Sequence, residues 1–136
     1  MGTPCEVVVL RQGKPDFGLL LSRNQARASL KIQSLARTFP ATYIVFDLLY
    51  DRFESLTALP LWARRERLER VVRACVNPRL VFSEGIVGSG RALFEAVCRQ
   101  GLEGVVAKRL DGRYRPGRRD WIKIKPRSGS LDGMTC

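Results

Sequence analysis

Apolar, mostly β-branched residues crowd Glu6 to Leu10, and the Arg11-Gln-Gly-Lys-Pro15 that follows carries the glycine and proline of a reversal. The chain is therefore predicted to open on a strand and a turn. Asp16 stands where a helix cap is needed. From Phe17 onward Leu20, Leu21, Ala28, Ile32 and Leu35 recur at helical spacing with Arg23, Arg27 and Lys31 between them, predicting a basic helix or broken helix to Thr38, ended by Pro40. Thr42 to Tyr50 is the strongest strand signal, nearly continuous in β-branched and aromatic types, with one carboxylate, Asp47, embedded in it. A carboxylate in such a run needs a reason.

Leu59-Pro60 opens a surface helix in which Leu61, Leu68, Val71, Val72 and Cys75 form one stripe while Arg64, Arg65, Glu66, Arg67, Glu69, Arg70 and Arg73 are expected to face outward. Arg79 to Glu84 reads as a strand. Gly88-Ser-Gly90 leads into a short helix that buries Leu93, Phe94, Ala96 and Val97 and stops at Gly101. Val105 to Lys108 and Trp121 to Lys125 read as two further strands, joined by a long, mobile, basic loop from Arg109 to Asp120. The closing strand pair, with its alternating Trp121-Ile-Lys-Ile-Lys125, suits an antiparallel ladder, so the expected class is α+β with flanking helices, in a single domain.

Composition narrows the chemistry. The 136 residues include no histidine, which excludes Ser-His-Asp and Cys-His nucleophile pairs and imidazole zinc sites. Cys5, Cys75, Cys98 and Cys136 show no C-x-x-C spacing and are expected to be reduced thiols of a cytoplasmic protein. The longest apolar runs, such as Val7 to Leu10, fall far short of the roughly 18 residues that cross a bilayer, so no membrane partner is expected. The formal charge is +11, and Lys108 to Arg127 holds nine basic residues against Asp111 and Asp120. A polyanion is the natural partner.

Period-two alternation puts Glu103, Val105 and Ala107 on one strand face and Gly104, Val106 and Lys108 on the other. In the last strand Lys123 and Lys125 share a face, roughly 6 to 7 Å apart, while Ile122 and Ile124 point toward the core. Together with Glu6 and Phe46 these residues supply carboxylates for a divalent metal, lysines for phosphate and an aromatic plate for a base. That is the inventory of a nucleotide site.

In this order Glu6-Val-Val-Val9, Tyr43-Ile-Val-Phe-Asp-Leu-Leu-Tyr50, Glu103-Gly-Val-Val-Ala-Lys108 and Trp121-Ile-Lys-Ile-Lys125 resemble the adenylation domain of ATP-dependent DNA ligases. Leu59-Pro-Leu61, Arg64-Arg-Glu-Arg-Leu68 and Gly90-Arg-Ala-Leu-Phe94 look like its bacterial members, including those linked to end joining. The resemblance implies an antiparallel-sheet nucleotidyltransferase core, ATP-grasp-like in class, over residues 1–125, followed by a polar tail, 126–136. It implies nucleotide contacts by Phe46, Glu103, Lys108, Lys123 and Lys125, and a Mg2+ or Mn2+ ion near Glu6 and Glu103. Arg109, Arg113, Arg115, Arg118 and Arg119 would meet nicked duplex DNA. The implied activity of the complete protein is AMP transfer from ATP and nick sealing in repair, in the bacterial cytoplasm at the nucleoid. The other readings of the residues are a non-catalytic DNA-binding module and a fragment of an RNA ligase or capping-type nucleotidyltransferase.

The family's nucleophile is a lysine in a K-x-D-G motif upstream of the glutamate that Glu6 matches. Here Thr3-Pro4-Cys5 leads into Glu6, and the nearest look-alikes are Arg109-Leu-Asp-Gly112 and Ser130-Leu-Asp-Gly133. Arginine stays protonated, and the serine lacks an evident base. The expectation is a truncated adenylation domain without its nucleophile or OB-fold domain, completed by self-association or a companion polypeptide. Incubation with ATP and magnesium should leave the intact mass of the chain unchanged; an added AMP would reveal another nucleophile and overturn that expectation.

Overall fold

The computed structural model describes residues 2–127, so Ser130 to Gly133, Cys136 and most of the expected tail lie outside the described residues. The elements run β1 (Cys5–Arg11), β2 (Lys14–Pro15), α1 (Phe17–Gln25), α2 (Ser29–Thr38), β3 (Ala41–Val45), β4 (Tyr50–Asp51), β5 (Glu54–Ser55), α3 (Leu61–Cys75), β6 (Leu80–Phe82), α4 (Gly90–Arg99), β7 (Val105–Ala107) and β8 (Ile122–Ile124). They fall into two compact units, one of residues up to Leu56 with Ala63–Ser83, the other of Thr57–Trp62 with residues from Glu84 onward. The α+β expectation holds.

The first unit is built on a sheet of order β2-β1-β3-β6. β1 runs antiparallel to β2 and β3, while β6 lies parallel to β3, reached through α3. Gln12-Gly13 makes the two-residue reversal, both at positive φ, and the Asp16 carboxylate accepts from the Leu19 N–H at 3.0 Å to cap α1. The predicted helix is broken, as α1 and α2, at Ala26, which has extended backbone. Val8, Val9, Val45, Leu48, Leu56 and Leu68 form the buried core of this unit.

Two expectations are corrected here by one interaction. Arg64 does not face outward: it is wholly buried, and its Nε and one terminal nitrogen donate to the two oxygens of Asp47, also wholly buried, at 2.8 and 2.9 Å. The inward stripe of α3 is thus Leu61, Arg64 and Leu68, with Cys75 exposed. The predicted strand from Thr42 to Tyr50 ends at Val45 because Asp47 turns to this fork and its Oδ1 also accepts the Leu48 N–H at 2.8 Å. Arg65, beside it, is half-buried rather than outward; it donates to the carbonyls of Phe46 and Ser83 at 2.9 and 2.6 Å and stacks 4.7 Å above the Phe82 ring. Burial lowers the Arg65 pKa, and the charges of Asp47 and Glu69 oppose that shift.

In the second unit Leu61 and Val97 are the buried apolar residues among those described. α4 packs against β7, which pairs antiparallel with β8, as expected. The loop from Arg109 to Asp120 is pinned rather than mobile: the N–H groups of Leu61 and Trp62 donate to the carbonyls of Gly112 and Leu110, and the Tyr114 N–H donates to Thr57. The loop therefore satisfies orphan donors in the first turn of α3. Ile122 and Ile124, expected in the core, are 60% and 40% exposed. Among the cysteines, Cys5 and Cys75 are free and exposed, whereas Cys98 is disulfide-bonded, correcting the expectation of reduced thiols there. No helix among the described residues is long and apolar enough to cross a membrane.

Breaking the buried fork from one side leaves an uncompensated charge, which costs about 3–5 kcal/mol. Asp47→Leu and Arg64→Leu should each lower stability by that order in urea unfolding, and the double Leu variant should be less destabilised than either. Single variants within 1 kcal/mol of the parent would show that the fork does not hold the fold.

Candidate functional site

On the sheet of the first unit, the registers Glu6↔Ile44 and Ile44↔Val81 place these three residues on one face. The Phe46 N–H donates to the Pro4 carbonyl at 3.3 Å, extending the β1/β3 ladder one step, so alternation puts Phe46 on that face too. Asp47 then points to the opposite face, where α3 supplies Arg64. Two adjacent residues thus divide their labour: Asp47 fixes the end of β3, and the half-buried Phe46 lies on the sheet face that also carries the exposed Glu6.

The second unit assembles the cationic residues. The β7/β8 registers Val106↔Lys123 and Ala107↔Ile122 continue to a facing of Gly104 with Lys125 and of Lys108 with Trp121, so Lys108, Lys123 and Lys125 all lie on one hairpin face. Glu103 joins them. Its carboxylate is 3.1 Å from the Lys123 ammonium and 3.7 Å from that of Lys125, against the alternation that would place it with Val105. The alternation breaks at Gly104, whose φ of +147° is one that L side chains rarely adopt and whose missing Cβ leaves room for the Ile124 carbonyl oxygen. Any side chain at Gly104 would collide with that backbone.

Hydrogen bonding from Lys123, then the charges of Lys123 and Lys125, hold the Glu103 carboxyl below its usual pKa, so it remains ionised on this face. The Lys108 ammonium lies 3.9 Å from the centroid of the Trp121 ring, and Tyr114 meets that ring edge-on at 5.7 Å. Arg109 makes a two-point pair with Asp111 at 3.0 and 2.9 Å, and Arg115 donates to Asp120 at 3.0 Å. Arg113, Arg118 and Arg119 are exposed and form no ion pair among the described residues.

Of the expected site residues, Glu103, Lys108, Lys123 and Lys125 come together on the hairpin of the second unit, and Glu6 and Phe46 share a sheet face in the first. Sequence reasoning missed Arg64, Arg65 and Trp121. For Arg64 the buried carboxylate was the available signal; for Trp121 it was an aromatic opening a strand of alternating lysines.

The sequence model of the ATP dependent DNA ligase domain matches residues 4–125. The chain belongs to this family. It is 37% identical over 122 residues to the multifunctional non-homologous end joining protein LigD of Pseudomonas aeruginosa, covering 88% of this chain and 14% of that protein. It is 34% identical over 130 residues to a DNA ligase of Methanoculleus marisnigri, covering 93% and 23%. The ligase domain of M. tuberculosis LigD superposes with a TM-score of 0.66 at 33% identity over 90% of this chain and 36% of that one. A mycobacterial DNA ligase D complexed with ATP and MES gives the same TM-score at 34% identity, over 90% and 37%. The chain thus spans between a seventh and two-fifths of the proteins and chains it matches here.

Because the folded pKa of Glu103 is depressed, its pairing with the lysines stabilises the hairpin above the ordinary carboxyl range and is lost as pH falls through the depressed value. A carboxyl-detected NMR titration should give Glu103 a midpoint below the ordinary glutamate value, moving up toward it in Lys123→Ala. An unchanged midpoint in that variant would contradict the pairing.

Proposed function

We propose that this chain is the nucleotide-binding part of an ATP-dependent DNA ligase, and that the lysine face of the β7/β8 hairpin receives the phosphates of ATP. The observation that carries this reading is the convergence of Lys108, Lys123 and Lys125 with an ionised Glu103 on one short hairpin. Three fixed ammonium groups stabilise the charge that gathers on phosphate oxygens during nucleotidyl transfer, and they need little reorganisation to do so. The ATP held by the related mycobacterial ligase supports the choice of ligand.

Phe46 is assigned to the adenine and Glu6, with Glu103, to a divalent cation. Each glutamate, one in either unit, is an exposed carboxylate of the kind that Mg2+, which retains waters, takes singly or in pairs beside substrate phosphates. Such an ion would neutralise phosphate charge.

The basic loop is assigned to the DNA backbone, with Arg113, Arg118 and Arg119 as its uncommitted cations and Arg109 and Arg115 shaped by their aspartates. In the complete protein the sequence of reactions is transfer of AMP to a lysine, then to a DNA 5′-phosphate, then displacement of AMP as the nick closes, a process that belongs at the bacterial nucleoid. The exposed Ile122 and Ile124 on the reverse of the lysine face support a covering surface supplied by a second copy or a companion polypeptide.

Calorimetry with ATP tests the assignment. Lys125→Ala should weaken binding about tenfold, as expected for losing one charge-assisted contact, while Arg73→Ala, on the outer side of α3, should stay within about twofold. Equal effects would sink the phosphate assignment, and salt-sensitive DNA retention without ATP binding would make the chain a DNA-binding module instead.

A further inference from the structure

We propose that Trp121 is a positioning residue for this phosphate site, holding the Lys108 ammonium over its ring on the face that Lys123 and Lys125 share. The inference rests on the reading of that face as the phosphate site and goes beyond it by assigning the indole a part. Lys123 and Lys125 are steadied by a carboxylate, Glu103, which cancels charge as it orients them. Lys108 also meets a neutral π face at 3.9 Å, which attracts the ammonium through the ring quadrupole.

The ring is itself held. Tyr114 packs against it edge-on, 5.7 Å between centroids with planes at 72°, and the Tyr114 backbone is fastened to the Thr57 carbonyl at 3.0 Å. Trp121 faces Lys108 one step along the ladder from the Ala107↔Ile122 pair, so ring and ammonium meet across the hairpin. A free lysine must lose rotamer freedom when it grips a phosphate. Lys108, resting on Trp121, has surrendered part of that freedom before the ligand arrives, which is the physical content of preorganisation.

The test is a double-mutant cycle on the full chain, read by calorimetry with ATP. Trp121→Leu should weaken binding about two- to fivefold, the range of an exposed cation–π contact, and Trp121→Phe, which keeps a π face, should recover most of it. In a Lys108→Ala background Trp121→Leu should add no further loss. An equal loss in both backgrounds, or none in either, overturns the positioning role while leaving the phosphate site standing, provided Lys108→Ala itself weakens binding. If Lys108→Ala binds ATP as the parent does, the phosphate reading falls and takes the proposal with it. The unmutated chain gives an independent reading: the Lys108 ε-methylene protons should resonate upfield from the ring current, and ordinary lysine shifts there would overturn the stacking.

Discussion

The first unit depends on one buried fork, the Arg64 guanidinium on the Asp47 carboxylate. Both groups are fully removed from water, where their charges are tolerable only because two parallel hydrogen bonds and the Leu48 N–H satisfy the carboxylate. The interaction is directional in a way that apolar packing is not. It sets where β3 stops, which side of α3 turns inward, and, through the neighbouring Arg65, how the ends of β3 and β6 are tied to the helix. Phe46, preceding Asp47 in an extended chain, is left on the opposite face, the one that carries Glu6. A structural charge pair thereby determines the placement of an aromatic assigned to binding.

The second unit solves a different problem with fewer resources. Among its described residues only Leu61 and Val97 are buried apolar side chains, and its hairpin is three residues long on each side. Local devices supply what burial does not: Gly104 turns Glu103 toward the lysines, Trp121 and Tyr114 brace Lys108, and the loop carbonyls cap the first turn of α3. Cations that would repel one another are held on one face by a carboxylate and a ring. That cost in self-repulsion is the kind a ligand-binding surface carries, because an anion relieves it.

Much of this was legible in the amino-acid pattern, for identifiable reasons. β1, the α1 cap at Asp16, α3, α4 and the β7/β8 pair follow from periodicity and local cap or turn chemistry, which act over a few residues. The lysines of β8 were expected on one face and lie there, while Lys108 joined them only through the strand register, which pairs Val106 with Lys123. Arg64 was misplaced because helical patterning sorts residues by polarity, and only a partner seventeen residues away makes an inward arginine favourable. The length of β3 failed for the same reason. Ile122 and Ile124 were expected inside since alternation identifies two faces without saying which one is covered. The positive φ at Gly104 has no signature beyond the glycine itself.

In the function proposed, nucleotide phosphate is received on the hairpin face bearing three lysines and Glu103. Backbone amide NMR of the isotope-labelled chain, titrated with ATP, locates that contact without altering any residue. Saturable shifts should concentrate at Gly104, Val106, Lys108, Lys123 and Lys125, with a second group at Glu6 and Phe46. Shifts confined to the arginines between Arg109 and Arg119, or spread evenly over the basic surface, would contradict it.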